Sequence, residues 1–432
     1  MIPIGFALKE SLKNGYNLQK FKCDAIAALT GSLVALPYSM AIAIAVGLPP
    51  QNGLYTAIAA GITVPLLGGS IMQVSGPTSA LVAILAPIAA QYGPRGLILT
   101  SLLAGFLLIF LGIAKLGRYI NYVPYPVIIG CTAGIAVTIG TIALNDFLGL
   151  DIKSFHGEYI RKVALIVEHL PTLNWAEALV GIVTLVSIIV LRRILPKVPP
   201  HIFAIGVGTW LAFALQKCGF TVATLGSRFS YPLPDGGTGH GVPPFPPTLH
   251  IPGLDSSSLF AWPTLQEIFS LIIPVLIVTA LVTLESLISA TTADGMAKTK
   301  HHPNSELIGI GIGNILSGLV GGFPACGSLS RTTANIKNGA ITSIASFLHG
   351  VILLIYMVSF APFLSYIPMA SLAAILVNIA YHVSHYRQFN HIIKIGPKSE
   401  SIVLLICFAL TVLINMVAGV TAGVVLACFF LS

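Results

Sequence analysis

Gly321-Gly322-Phe323-Pro324-Ala325-Cys326-Gly327-Ser328-Leu329-Ser330-Arg331-Thr332-Thr333-Ala334-Asn335 interrupts a succession of apolar, membrane-length segments with glycines, a proline, hydroxyls and an arginine. Hydrocarbon tolerates such irregular, polar backbone only where it is buried in protein or lines a cavity. The stretch is therefore a candidate site. A second stretch, Gly68-Gly69-Ser70-Ile71-Met72-Gln73-Val74-Ser75-Gly76-Pro77-Thr78-Ser79-Ala80, carries the same device in the first half of the chain. Each has a Gly-Gly pair, a few residues able to run extended, and then Gly-x-x-Ser opening a helical run, at Gly76 to Ser79 and at Gly327 to Ser330.

The surrounding chain of 432 residues is 55% hydrophobic and 8% charged, with mean hydropathy +0.91, whereas soluble domains carry roughly a quarter charged residues. It reads as an all-α polytopic membrane protein. Lys9, Lys13, Lys20 and Lys22 precede an apolar segment long enough to span and without a cleavage site, so the first segment is expected to stay in the protein. The net charge of +8 comes from clusters at alternate segment ends: the N-terminal arm, Lys115 with Arg118, Arg192 and Arg193 with Lys197, Lys298 with Lys300, and Arg387 with Lys394 and Lys398. Cytoplasmic loops show this bias, and no basic stripe with interleaved aromatics calls for nucleic acid. Six scattered cysteines without a CxxC pair indicate neither a disulfide framework nor a zinc site.

Segments of roughly 17 to 25 apolar residues can span as helices. In the first half they are expected at 24–46, 53–67, 76–91 (a short third helix), 96–114, 123–148, 176–195 and 201–216, with an amphipathic external loop at 151–174. A glycine- and proline-rich stretch, 218–263, separates the halves. The second half runs through 268–294, 307–320, a short helix after Gly327, 341–361, 371–385, 399–416 and 417–431. Seven segments per half give about fourteen, and an odd number per half inverts the second repeat. Aligning Gly76 with Gly327 carries Asp24 to Val275, inside the eighth segment. Inverted repeats with broken helices at matching positions point to a transporter's central site. With the N-terminus inside, the loops after even-numbered segments face the cytoplasm, and these hold the basic clusters. A multi-pass protein of the cell membrane with both termini cytoplasmic is expected.

If segments 3 and 10 are half-helices meeting at the midplane, their N-termini face each other. Each offers unpaired N–H groups and roughly half a positive charge, which is an anion site without any side-chain charge. Ser75, Thr78, Ser79, Ser328 and Ser330 can add hydroxyls, and Arg331 adds a full positive charge. An arginine at membrane depth costs roughly 2.5 to 3.5 kcal/mol on insertion scales. A substrate anion or Glu285, in mid-segment with Ser289 on its face, can offset that cost. Burial and a nearby arginine act on such a carboxyl in opposite senses, the conflict a proton-coupling residue needs. A fixed Glu285–Arg331 pair is the plainer alternative.

Other features carry less. His382 and His385 are three apart but sit at a segment end beside Arg387, an interfacial position, and no metal site or cofactor is expected. Gly236-Gly237-Thr238-Gly239 lacks the Lys-Ser/Thr and strand–helix context of a phosphate loop. With no G-x-S-x-G elbow, P-loop or HExxH, the chain is not expected to be an enzyme. Gly309, Gly311 and Gly313 are expected to let the ninth helix pack closely.

These residues resemble the SulP family of anion transporters, which includes the animal SLC26 group. The likeness runs through Leu36-Pro37-x-Ser39-Met40-Ala41, Gly47-Leu48-Pro49-Pro50-x-x-Gly53-Leu54-Tyr55-Thr56-Ala57, Gly68-Gly69-Ser70 and Ser75-Gly76-Pro77-Thr78. It continues through Ala293-Asp294, Asn304-x-Glu306-Leu307-Ile308-Gly309-x-Gly311-x-Gly313-Asn314, Gly321-Gly322-Phe323-Pro324 and Gly327-Ser328-x-Ser330-Arg331-Thr332-x-x-Asn335. The resemblance implies a 7+7 inverted repeat in which a core domain (1–120 and 266–365) moves against a gate domain (121–217 and 366–432), with 218–265 as an extracellular or periplasmic loop. It further implies a homodimer and an anion held between the third and tenth half-helices by Pro77, Thr78, Ser79, Gly327, Ser328, Leu329, Ser330 and Arg331, with Tyr38 facing it.

Within the resemblance, Arg331 falls on the arginine of sulfate-like and animal members, where the cyanobacterial sodium–bicarbonate branch has a small residue. Glu285 falls where that branch has a sodium-binding aspartate and proton–sulfate symporters have a glutamate. Two departures stand out: Tyr38 replaces the glutamine of many sulfate members, and the chain stops just after the fourteenth segment, without a cytoplasmic STAS domain. The expected activity is secondary active transport of a small oxyanion, sulfate with protons in the first place. Bicarbonate or a C4-dicarboxylate, with or without sodium, and an exchanger or channel-like conductance are the alternatives.

Overall fold

A computed structural model describes residues 3–13, 15–117, 125–152, 159–194, 199–233, 237–251, 258–414 and 416–431. Helix α1 (Phe6–Lys13) leads into α2 (Leu18–Val46), which starts where the Asn17 side chain accepts from Lys20 N at 2.9 Å and stops at Gly47, whose φ of 95° ends the helix. Helix α3 (Pro50–Leu67) has proline at its first position, where no N–H is needed. Strand β1 (Ser75–Gly76) follows the first irregular stretch and opens α4 (Ser79–Ile113). Then come α5 (Tyr125–Leu148), α6 (Tyr159–His169), α7 (Trp175–Ile194), α8 (Pro200–Lys217), a single turn α9 (Leu225–Arg228) and the hairpin strands β2 (Ser230–Pro232) and β3 (Thr238–His240).

The second half contains α10 (Leu265–Ala297), begun by a reciprocal cap between Thr264 and Glu267, and α11 (Pro303–Leu319). Strand β4 (Cys326–Gly327) opens α12 (Leu329–Lys337), and α13 (Ser343–Leu364), α14 (Met369–Val383), α15 (Tyr386–Ile395), α16 (Lys398–Leu413) and α17 (Met416–Leu431) complete the order. The polytopic helical reading holds: among the described residues six helices, α2, α4, α5, α7, α10 and α13, are long and apolar enough to cross a membrane.

The third and fourth segments are the two arms of α4, parted by non-helical backbone at Gly93 (φ +67°, ψ −171°), where the break between 91 and 96 is expected. The helices depart from expectation in two places. The amphipathic loop at 151–174 contains α6, and a second amphipathic helix, α15, fills the connection after α14. Thr238 and Gly239 lie in strand β3 rather than in a loop; Gly236 lies outside the described residues.

Two compact units divide the chain. One comprises Met1–Leu81, Ile88–Asn121 and Pro243–Ala361; the other Val82–Pro87, Tyr122–Val242 and Pro362–Ser432. In the first, the glycines of α11 bring backbones together as expected. A Cβ on Gly309 would lie 2.6 Å from Gly68 Cα, and one on Gly311 would lie 2.7 Å from the Gly105 carbonyl oxygen. Both irregular stretches belong to this unit. In the second unit, α5 packs on α14 and α16, and Thr184 of α7 shares a hydrogen bond with Ser371 of α14 at 2.9 Å.

Candidate functional site

The two irregular stretches meet in an antiparallel ladder of two residues each, Ser75 opposite Gly327 and Gly76 opposite Cys326. Ser328 N donates to Val74 O at 2.9 Å and extends the pairing. The register reproduces the alignment read from the sequence. Exchanging Ser75 with Cys326 and Gly76 with Gly327 turns each pair into the other, as a two-fold axis through the ladder would. Each strand runs directly into a helix, so the N-termini of α4 and α12 spring from one crossing.

The stretches contain too little regular structure to satisfy their own backbone, and buried side chains do it instead. On the first, the Glu306 carboxylate accepts from Gly69 N and Ser70 N, both at 2.7 Å, and from Gln73 Nε2 at 2.8 Å. Thr332 Oγ1 accepts from Val74 N at 3.0 Å, and Asn335 Nδ2 donates to Met72 O at 3.2 Å. On the second, Asn314 brackets Ala325, its Oδ1 accepting from Ala325 N and its Nδ2 donating to Ala325 O, both at 2.9 Å. Thr56 Oγ1 accepts from Phe323 N at 2.9 Å, Asn52 Nδ2 donates to Gly321 O at 2.6 Å, and Ser286 Oγ accepts from Gly327 N at 2.9 Å. Glu306, Gln73, Asn314 and Ser286 were not singled out from the sequence as site residues. Two of them stand in the quoted motif, but composition gives no sign that a side chain on one helix serves a backbone on another.

Arg331 lies in the first turn of α12 and is 7% exposed. Its Nη2 donates to the carbonyl of Pro77 at 2.7 Å, and its guanidinium carbon stands 5.7 Å from the centre of the Tyr38 ring, within cation–π range. Nε and Nη1 have no hydrogen-bond partner among the described residues. Gly76 makes the room: its φ is +154°, and a Cβ there would fall 2.8 Å from Nη1. Of the other residues named from the sequence, Thr78 precedes the first residue of α4 and places Oγ1 3.0 Å from Cys326 Sγ. Ser79 is buried as the first residue of that helix. Ser328 caps α12, accepting from Arg331 N at 3.5 Å, Leu329 is the first helical residue, and Ser330 is exposed with its hydroxyl 3.4 Å from that of Ser328. Pro77, Tyr38, Thr78, Gly327, Ser328 and Arg331 are thus brought together.

Glu285 is the exception. It lies on α10 one residue before Ser286, whose hydroxyl accepts from Gly327 N. Yet no ion pair joins Glu285 to Arg331 among the described residues. The anticipated neutralising pair is replaced by a backbone carbonyl and an aromatic face, neither of which cancels the charge. Ser289, expected on the same face, donates to Thr332 Oγ1 at 3.2 Å and so ties α10 to α12.

The arrangement offers a fixed cation with two unpaired nitrogens, two helix starts and several hydroxyls in a buried setting. Chemically it can hold a small anion. Residues 21–407 match the model of the Sulfate permease family. The chain is 38% identical over 416 residues to the Bacillus subtilis protein named "Putative sulfate transporter YvdB", covering 96% of this chain and 74% of the relative. It is 26% identical over 426 residues to "Bicarbonate transporter BicA" of Picosynechococcus, covering 96% of this chain and 71% of that one. Among solved structures, the transmembrane domain of a cyanobacterial bicarbonate transporter BicA superimposes with TM-score 0.80 at 24% identity, covering 94% of this chain and 98% of that chain. The overall structure of SLC26A9 superimposes with TM-score 0.84 at 17% identity, covering 99% of this chain and 68% of that chain.

Proposed function

The chain belongs to the sulfate permease family and is therefore an anion transporter of the membrane, and from that premise we propose that it takes up sulfate with protons by alternating access. The observation that carries the reading is the state of Arg331: buried, singly anchored on Pro77, and without a counter-carboxylate. A cation held that way at membrane depth is stabilised by an anion that comes and goes. Charge selects the anion. The guanidinium brings one positive charge and the starts of α4 and α12 roughly half each, so the site presents roughly two, which suits a dianion. Thr78, Ser328 and exposed Ser330 supply hydroxyl donors, and Tyr38 closes one side.

In this reading the residues 1–120 and 266–365 form the moving core and 121–217 with 366–432 the gate, both termini are cytoplasmic, and the protein works as a homodimer. Glu285 carries the coupling proton. Adjacent in sequence to Ser286, which holds Gly327 N, and in no ion pair with Arg331 among the described residues, it is free to take up and release a proton without breaking the anion's anchor. Bicarbonate is the second reading, supported by the identity to bicarbonate transporters and by Tyr38 standing where many sulfate members have glutamine.

Labelled sulfate uptake into proteoliposomes under an imposed inward proton gradient, with sodium absent, tests the proposal. Accumulation that collapses with a protonophore is expected, and Glu285→Gln should abolish the accumulation while sulfate binding persists. Sodium-dependent bicarbonate uptake without sulfate uptake in the same vesicles would replace it with the second reading.

A further inference from the structure

Helix α15, in the second unit, belongs to no spanning segment and to no part of the anion site. His385, with φ +43°, parts it from α14, since an α-helix does not run through left-handed backbone. It is seated on one end of the spanning helices. Ile392 is buried against Ile129, in the second turn of α5, and against Leu404, in the second turn of α16, with Phe389 packed beside them. Helix α5 is long and apolar enough to cross a membrane, so α15 lies at the level where hydrocarbon gives way to headgroups.

The residues of α15 sort by face at 3.6 per turn. Phe389 and Ile392 face the protein. Arg387, His391 and Lys394, spaced four and three apart, form the stripe opposite, and all three are exposed. Tyr386 and Ile393, seven apart on the flank between these faces, are 62% and 40% exposed. Exposed apolar side chains beside a row of cations mark a helix that lies in the membrane surface, its flank in the acyl region and its cations among the phosphates.

The neighbouring helix ends add charge of the same sign. Arg192 and Arg193 close α7, and Arg192 Nη1 donates to His382 Nε2 at the end of α14. Ser401 Oγ donates to Ile392 O at 3.0 Å and holds the start of α16, with Lys398, against α15. Arg192, Arg193, Arg387, Lys394 and Lys398 thus gather at one end, with Glu400 as the only carboxylate on α14, α15 and α16, and no ion pair joins them among the described residues. The far end of α5 differs. There the other amphipathic helix, α6, packs by Ile166 on Leu150 and Ile152 and carries Glu168 as well as Arg161 and Lys162, while Asp146 pairs with Arg228 at 2.5 Å. Uncompensated positive charge collects at the α15 end. A soluble polyanion would match these cations but leave Tyr386 and Ile393 in water, whereas a lipid with a negative headgroup matches both.

We propose that the α15 face of the second unit, together with the arginines that end α7, binds anionic phospholipid headgroups of the adjoining leaflet: Arg387 and Lys394 take the phosphates, and Tyr386 and Ile393 the acyl chains. The surface is separate from the anion site and does not depend on which anion is carried.

For the test, the full chain in a neutral detergent is titrated with short-chain phosphatidylglycerol and phosphatidylcholine, and native mass spectrometry resolves each bound copy. Phosphatidylglycerol should bind the more tightly. A basic residue near an anionic membrane surface contributes a factor of roughly five, so Arg387→Gln with Lys394→Gln should weaken phosphatidylglycerol binding roughly fivefold or more and leave phosphatidylcholine as it was. The same charge removed at the far end of α5, by Arg161→Gln with Lys162→Gln, should change neither. If the α15 variant does not fold, Arg192→Gln with Arg193→Gln on α7 takes its place with the same expectation. Equal affinity for the two lipids, phosphatidylglycerol binding unchanged in the α15 variant, or an equal loss in the α6 variant overturns the proposal. Displacement of the lipid by inorganic phosphate at the same concentration would reduce the surface to an ion site, and tighter binding of a polyglutamate peptide would give it to an acidic protein segment; either result also overturns it.

Discussion

The stretches at 68–79 and 321–331 have the same backbone plan and opposite means of support. The first is held mainly by a buried carboxylate, with Thr332 and Asn335 beside it: Glu306, fully shielded, gathers three N–H donors from Gly69, Ser70 and Gln73. The second is held by neutral groups, Asn314, Thr56, Asn52 and Ser286. Their contributions to the site are reversed. The neutrally supported stretch brings the arginine, and the carboxylate-supported one brings Gly76 and the Pro77 carbonyl that receive it. The difference teaches that an anion site in a membrane keeps its fixed negative charge away from the arm that bears its cation. Had Glu306 been the partner of Arg331, the anion would have had to compete with it.

The largest effect expected from breaking this contrast is on stability. Glu306→Leu strands three donors of the first stretch and should cost roughly 3–5 kcal/mol, since bonds to an ionised group are the stronger kind. Asn314→Leu strands only the two groups of Ala325 and should cost roughly 2–3 kcal/mol. Melting curves of the purified variants check the order, and equal losses would remove the distinction between charged and neutral support. Next in size is the pair of ladder glycines. Gly76→Ala puts a Cβ against the guanidinium at a φ that strains any other residue, a cost of roughly 1–3 kcal/mol felt as sulfate affinity lower by tenfold or more. Gly327→Ala meets the amide of Gln73 instead and should lower stability more than affinity. Calorimetric titration beside a melting curve separates the two outcomes. The smallest effect is at the helix starts. Ser328 caps α12 through its hydroxyl and Thr78 makes no such bond to α4, so Ser328→Ala should lose about 1 kcal/mol and Thr78→Val nearly nothing by the same measurement.

Much of this was legible in the chain. Gly-Gly followed by Gly-x-x-Ser, met twice, placed both irregular stretches, and the alignment of Gly76 with Gly327 agrees with the two-fold pattern of the ladder, although their pairing was not read from the sequence. Segment ends read from hydropathy fall within a few residues of most helix ends; the start of α2 is the exception, since hydropathy opened the segment at 24 and the polar first turn capped by Asn17 lies six residues earlier. What sequence could not supply were contacts made to backbone. The partner of Arg331 is the carbonyl of residue 77, an atom every residue has, so the sequence offered only a substrate anion or the Glu285 side chain in its place. Glu306 was quoted within a motif, but nothing in its neighbours says that it reaches Gly69 and Ser70.

The self-matching ladder at the crossing has a bearing on direction. Its four backbone residues present the same pattern when the halves of the chain are interchanged, so a cargo resting there meets no built-in forward or reverse. If the proposed transport reading holds, a turnstile of this kind does not rectify. Which way net flow runs would then be left to the gradients on either side, and among the features that tell one approach from the other is a guanidinium belonging to only one half.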